Sequence, residues 1–196
     1  MSVHLQRQFD RLKKMILSLG AMVEESVDAA LRAVEAGDGE EVDQILSDNQ
    51  RIQLMEVDIE EECLHTLALH QPVAFDLRFL VAVLKINGGL QRIGDLTANI
   101  AERSRELNAS DTGATRSLRH DMAPMGKRVR SMLKKALDAL VNVDPELADQ
   151  VRTMDNEVDQ VHREMYDQIA ESIRQDPEAV AAFIRVLGIS RQLERI

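Results

Sequence analysis

Aromatic residues make up only 3% of this 196-residue chain, and tryptophan is absent. That composition gives little support for strands, which draw on aromatic and β-branched residues, and suits helix packing through Leu, Val, Ala, Met and Glu. Cysteine occurs once, at Cys63. An intrachain disulfide is therefore excluded, the chain fits a reducing compartment, and Cys63 reads as a small core residue. No run approaches the ~20 apolar residues of a membrane span. The apolar stretch after Lys14 is interrupted by Glu24 and Glu25 and lacks a signal-peptide cleavage site, so the chain is expected to be soluble and cytoplasmic. Excess positive charge is also missing: 34 acidic against 24 basic residues leave a formal charge of −10. Phosphate backbones select the opposite sign, which argues against nucleic acid as a partner. Gly-rich phosphate loops, serine–histidine arrays and zinc-type cysteine clusters are likewise absent, and no catalytic residue is expected.

What remains is helical periodicity. From Phe9 through Leu12, Ile16, Leu19, Val23, Val27, Leu31 and Val34, apolar residues recur at threes and fours, the pattern of one long amphipathic helix ending at Gly37-Asp38-Gly39. A second helix carries Val42, Ile45, Ile52, Met55, Ile59 and Cys63 on one face until Gln71-Pro72. A third starts near Pro72, as a tolerated first-turn residue, and continues to about Leu107. The small and turn-forming residues from Asn108 to Thr115 read as a linker. A fourth helix follows from about Leu118 to Val143, and Asp144-Pro145 and Asp176-Pro177 each offer a capping carboxylate and a first-turn proline to open the fifth and sixth. Such helices would be roughly 40–50 Å long at 1.5 Å per residue. The fold class expected is all-α.

Leu90-Gln91-Arg92-Ile93 returns as Leu193-Glu194-Arg195-Ile196 at the C-terminus, and the likeness extends along the chain. A constant shift of 106 pairs Val27 with Leu133, Leu31 with Leu137, Asp38 with Asp144, Asp43-Gln44 with Asp149-Gln150, Ile52 with Val158 and Ile59 with Met165. In the third helix the shift becomes 103, pairing Val83 with Val186, Ile86 with Ile189 and Arg92 with Arg195, which a three-residue deletion in the preceding loop explains. Two repeats are expected, 1–109 and 110–196, each an antiparallel three-helix bundle, the last helix of the second being incomplete.

The run Pro72-Val73-Ala74-Phe75-Asp76-Leu77-Arg78, followed by Leu90-Gln91-Arg92-Ile93-Gly94-Asp95 and Asn99-Ile100-Ala101-Glu102, resembles the first signature helix of the PhoU family, and Leu193-Glu194-Arg195-Ile196 resembles the start of the second. The resemblance covers essentially the whole chain. It implies two tandem three-helix bundles with Asp76, Arg78, Arg92 and Arg195 as motif residues. It further implies negative regulation of phosphate uptake and of phosphate-responsive genes, by a cytoplasmic adaptor between the phosphate ABC transporter ATPase and a sensor histidine kinase. Membrane association would then come only through partners. A homodimer and a divalent or ferric metal ion on the acidic signature helices are also implied. Two departures stand out: Gln91 takes the place of the Glu that opens the first signature, and the second signature breaks off after Ile196.

Gln91, Asp95 and Asn99, four apart, stack on one helix face with oxygen atoms that suit a hard cation. Asp95 is the leading metal candidate, with Asn99, and with Glu194, Asp155 and Asp159 in the second repeat; the matching positions Asn49 and Gln53 are further donors. The same residues also fit a plain solvated stripe. Arg92 and Arg195 are expected to hold carboxylates of their own bundles in salt bridges. Glu62 and His65 have the Glu-x-x-His spacing of di-iron bundles, the basis of an alternative reading as a di-metal redox or storage protein. The repeat places Gln168 and Glu171 at the matching positions, which argues against it. A third reading is a generic helical interaction module. The basic fourth helix (Arg116, Arg119, Lys127, Arg128, Arg130, Lys134, Lys135) and the acidic run on the second (Glu56, Asp58, Glu60, Glu61, Glu62) are solvated faces or partner surfaces.

Overall fold

A computed structural model describes residues 3–36, 39–108 and 113–196. It consists of six α-helices: α1 (Val3–Ala36), α2 (Gly39–His70), α3 (Ala74–Asn108), α4 (Gly113–Asn142), α5 (Pro145–Gln175) and α6 (Val180–Arg195). The described residues contain no strand, as the composition implied. The expected turn at Gly37-Asp38 and the centre of the expected linker, 109–112, lie outside the described residues.

Local chemistry accounts for most helix ends. Asp144 opens α5 by accepting hydrogen bonds from the backbone N–H groups of Glu146 (3.0 Å) and Leu147 (2.9 Å), with Pro145 in the first turn. The end of α4 just before it closes with Asp144 N–H donating to Ala139 O and Val143 N–H to Leu140 O. This is a Schellman-type cap that puts Val143 at a φ of 53°, left-handed geometry that disfavours a β-branched residue. Three expectations shift. Asp176 makes no capping bond from its side chain, and Pro177–Ala179 forms a single 3-10 turn before α6 begins at Val180. Pro72 precedes α3 rather than opening it, because Gln71 (φ 44°) and Ala74 (φ 49°) both bend the chain through left-handed geometry. Pro124 lies inside α4 on its exposed side, where the backbone donor it lacks would otherwise bond within the helix.

Helices α1, α2 and α3 pack on one another, as do α4, α5 and α6, while α1 meets α4 and α3 meets α6 across the repeats. Like helices thus pair across the repeats, as a pseudo-two-fold relation requires. The α1–α4 seam shows this at atomic detail. Gly20 lies under Leu137, so that a Cβ on Gly20 would come within 2.7 Å of Leu137 Cδ2, and Gly126 lies in the same way under Leu31. Both the glycines and the leucines are related by the 106-residue shift. Each repeat therefore inserts a leucine over the glycine of the other, and a side chain at either glycine would push the helices apart.

The buried residues form two clusters that do not follow the repeats. One joins Ala33, Val34, Ile45, Ile100 and Leu107 of α1–α3 to Met122, Met125, Phe183 and Ile189 of α4 and α6. The other is built from Leu12, Leu19, Val23, Ile59, Leu80 and Leu90 and takes in Leu133 of α4. Leu31 packs against both. Cys63 is buried in the second cluster, and its thiol is pushed up to about 11, chiefly by burial and then by Glu62 and Glu60.

Candidate functional site

The polar stripe of α3 meets the polar edge of α2 around Asp95. Close approach of the two helices is possible because residue 94 is glycine: a Cβ there would lie 2.8 Å from Asn49 Oδ1 and 3.0 Å from Ile52 Cγ2. Asn49 Nδ2 (3.1 Å) and Gln53 Nε2 (3.0 Å) of α2 donate to Asp95 Oδ1, while Gln91 Nε2, one turn back on α3, donates to Oδ2 at 2.5 Å. Three residues singled out by spacing and by the repeat thus converge on the Asp95 carboxylate. Asn99 does not join them. Its amide donates to the backbone carbonyl of Asp95 (2.8 Å) and lies exposed.

The donor chemistry of this network bears on the expected metal ion. As arranged, one carboxylate receives N–H groups from three neutral amides, whereas a hard cation requires oxygen donors and gains most from paired negative charges. Asn49 Oδ1 is buried without a partner, but it points to Gly94, away from the Asp95 carboxylate. Among the described residues no three His, Cys, Asp or Glu side chains lie close enough to hold a metal. As the amides are turned, the arrangement is an amide-bound carboxylate; holding a cation there would require Asn49, Gln53 and Gln91 to rotate their oxygens toward it.

The second repeat is different at the same positions. Asp155 is exposed and Asp159 and Glu194 are half-buried, and these three carboxylates make no hydrogen bond or ion pair with one another. The repeat-equivalent of Asp95 lies past Ile196. One turn further along each α2- or α5-type helix, the repeats again use different pairs. Asn87 Nδ2 donates to Glu56 O (2.8 Å) and Glu56 Oε1 (3.2 Å), whereas the matching residues His162 and Ser190 bond through Nδ1 and Oγ at 2.8 Å. Burial, and then Glu60, raises the Glu56 carboxyl above its ordinary value.

Several expectations are corrected. Arg92 and Arg195 are exposed and hold no carboxylate, since each lies on the outer side of its helix. Arg78 is also exposed, and Asp76 sits in the first turn of α3, where its charge suits the free amide ends. Glu62 turns inward to Arg11 of α1 (3.1 Å) while His65 points to solvent, so their Glu-x-x-His spacing gathers no site. Of the basic residues of α4, Arg116, Lys127, Arg128, Arg130 and Lys134 are exposed as a solvated face requires, and Arg119 departs from it. Arg119 is buried and donates to Asn108 Oδ1 (2.7 Å) and Val34 O (3.4 Å), Arg128 pairs with Glu157, Arg130 with Asp28 (3.5 Å), and Lys135 Nζ lies 3.7 Å from Met154 Sδ. Gly88 and Gly89, also on α3, have open space beside them, so of the three glycines of that helix only Gly94 mediates close packing.

These features, a duplicated three-helix unit with its carboxylate–amide network on the first signature helix, can be set beside known proteins. A family model described as the PhoU domain matches residues 16–104 and 122–196, one match in each repeat. The chain belongs to the PhoU family. A phosphate-specific transport system accessory protein PhoU homolog of Pseudomonas putida is 30% identical over 197 residues, covering 98% of this chain and 76% of that protein. The PhoU homolog of Caulobacter vibrioides is 32% identical over 183 residues, covering 92% of this chain and 78% of its own. Among solved structures, PhoU from Pseudomonas aeruginosa superposes with a TM-score of 0.93 at 29% identity, covering 97% of this chain and 90% of that one. The phosphate transport system regulatory protein PhoU from Streptococcus pneumoniae gives 0.88 at 27% identity, with 97% and 88% covered. The PhoU fold thus accounts for the whole described architecture. No described helix of this PhoU-family chain is long and apolar enough to cross a membrane.

Proposed function

We propose that this protein is a non-enzymatic regulator of phosphate transport, a cytoplasmic adaptor that contacts the ATPase of a phosphate ABC transporter and a sensor histidine kinase, and that it lowers phosphate uptake and phosphate-responsive transcription when phosphate is plentiful. The observation that carries this reading is the PhoU-domain match in both repeats, together with relatives named as accessory proteins of the phosphate transport system along nearly the full chain. In physical terms the adaptor acts through linked binding equilibria. The state of the transporter sets how strongly the protein docks, and docking biases the kinase by no more than the difference in affinity between its two states. Homodimerisation is part of the same reading. No step is routed through a metal ion, because the Asp95 network presents amide N–H groups to its carboxylate. Deleting the gene and measuring a phosphate-responsive promoter at high phosphate tests the reading: derepression is expected, and unchanged repression overturns it.

A further inference from the structure

Helix α2 packs only on α1 and α3 among the described elements, which leaves its outer face without a partner. That face is apolar where a solvated helix should be polar. Leu54 (68% exposed), Val57 (48%) and Leu64 (53%) stand in solvent, and with the exposed Ala68 they follow a spacing of three, seven and four residues. Glu61 fills the gap, so that 54, 57, 61, 64 and 68 form the alternating three–four seam by which one helix receives another.

The second repeat supplies an internal reference. On α5 the same positions are Gln160, Arg163, Asp167, Ala170 and Arg174, the composition of a helix face that meets only water. The two helices share ancestry and inward packing, with Ile52, Ile59 and Cys63 matched by Val158, Met165 and Ile169, all buried. Inward packing therefore does not require the apolar outer face of α2. Isolated exposed apolar residues are ordinary, but a row in seam register, absent from the duplicate, is the mark of a covered surface.

We propose that the outer face of α2 is a docking seam for an amphipathic helix of another protein, one carrying lysine or arginine opposite Glu61 and along its flanks. Charge selects this occupant. Glu61 lies within the seam, and Asp58 and Glu60 are exposed on either side of it. A basic helix would neutralise all three, whereas a second copy related by a two-fold axis centred on the seam would set Glu61 against Glu61 in a partly desolvated contact. The apolar positions supply affinity, and the carboxylates supply choice of partner. The partner's identity rests on the adaptor reading above; the surface does not.

The test uses the whole chain and two synthetic helices of about 20 residues, identical in their leucine seam but flanked in one by lysine and in the other by glutamate. The lysine helix is expected to bind and the glutamate helix to bind at least about ten-fold more weakly. Val57→Glu with Leu64→Glu is expected to weaken the lysine helix about ten-fold or more, and Glu61→Lys to shift preference toward the glutamate helix. Both sets of changes are on exposed positions, so thermal melting should show a folded protein. The matched change on α5, Arg163→Glu with Ala170→Glu, should leave binding unaltered. Equal binding of wild type and the α2 variant overturns the proposal. So does self-association of the wild type, seen by sedimentation, that the α2 variant abolishes, since that would seat a second copy on the seam. In cells, the α2 variant is expected to lose repression at high phosphate. Absence of any effect on deleting the gene would instead defeat the adaptor reading and leave the peptide result standing.

Discussion

At matching positions, Asn49 and Gln53 of the first repeat close around Asp95, while Asp155 and Asp159 of the second face solvent or stand half-buried without such a partner. The inward positions behave otherwise. Leu80 and Phe183, Cys63 and Ile169, and Gly20 and Gly126 occupy the same places in both repeats and remain buried or in contact. The difference shows which constraints two packed copies of one unit share. Burial between like helices holds apolar character at each inward position, while the side chain's size follows the local packing of each copy, as Leu80 against Phe183 and Cys63 against Ile169 show. Outward and rim positions bear no such constraint, so carboxylates, amides, imidazole and apolar side chains have exchanged freely there.

The comparison can be broken most forcefully in the core. Phe183→Ala is expected to cost about 4 kcal/mol and Leu80→Ala about 3 kcal/mol. Because each hydrophobic cluster takes side chains from both repeats, either change should lower a single calorimetric transition. Two separate transitions, with only one displaced, would show the repeats to be independent. At the α1–α4 seam, Gly126→Val and Gly20→Val are each expected to cost about 2 kcal/mol by overpacking against Leu31 and Leu137. Equal losses in chemical denaturation, each partly relieved by truncating the facing leucine to Ala, would confirm the reciprocal contact. Losses that simply add would contradict it.

Asp95→Ala should destabilise by about 1–3 kcal/mol, because three amides lose their acceptor, against less than about 0.5 kcal/mol for Asp155→Ala on the exposed side of α5. Val143→Gly is expected to raise stability by about 1 kcal/mol. It relieves left-handed strain at a residue that is 83% exposed, and the first repeat already has Gly37 at the matching place in the sequence. A fall in melting temperature would show that Val143 makes a contact outweighing the strain.

The smallest effect concerns pH. The Glu56 carboxyl is raised above 4.5 in the folded protein, chiefly by burial and then by Glu60. The folded state therefore binds its proton more readily than the unfolded state, and the associated stability is present below pH 4.5 and is lost as pH rises through the raised value. Since the group is partly buried, Glu56→Gln should flatten this dependence by only about a few tenths of a kcal/mol. Denaturant midpoints measured across that interval would show it, and an unchanged slope would discount the burial of Glu56.

Much of the fold was legible because helical periodicity is a local signal. The inward stripe from Phe9 to Val34, the proline-opened α5 and the 106-residue shift all follow from residue order. At the candidate site the spacing of Gln91 and Asp95 was legible, and the repeat pointed to Asn49 and Gln53, but the direction of their amides was not, since an amide presents either oxygen or N–H with equal ease. Arg119 was misread as solvated, because nothing local distinguishes an arginine that later reaches Val34 O and Asn108 Oδ1 from one that faces water. Gly20 and Gly126 carried a signal in their shared 106-residue spacing, but only the seam shows what lies above them.

Residue order alone determined that this chain is a duplicated set of amphipathic helices, because helix formation and its inward stripe depend on neighbours three and four apart. The tertiary structure decided which polar groups meet: that Asp95 is surrounded by amide N–H groups, that Arg119 of α4 is buried against Asn108 and Val34, and that α2 keeps an uncovered apolar seam while α5 has a polar one. Those outcomes depend on the distance and rotation between helices remote in sequence, which are set by side-chain volume at their contacts and not by the periodicity of any one of them.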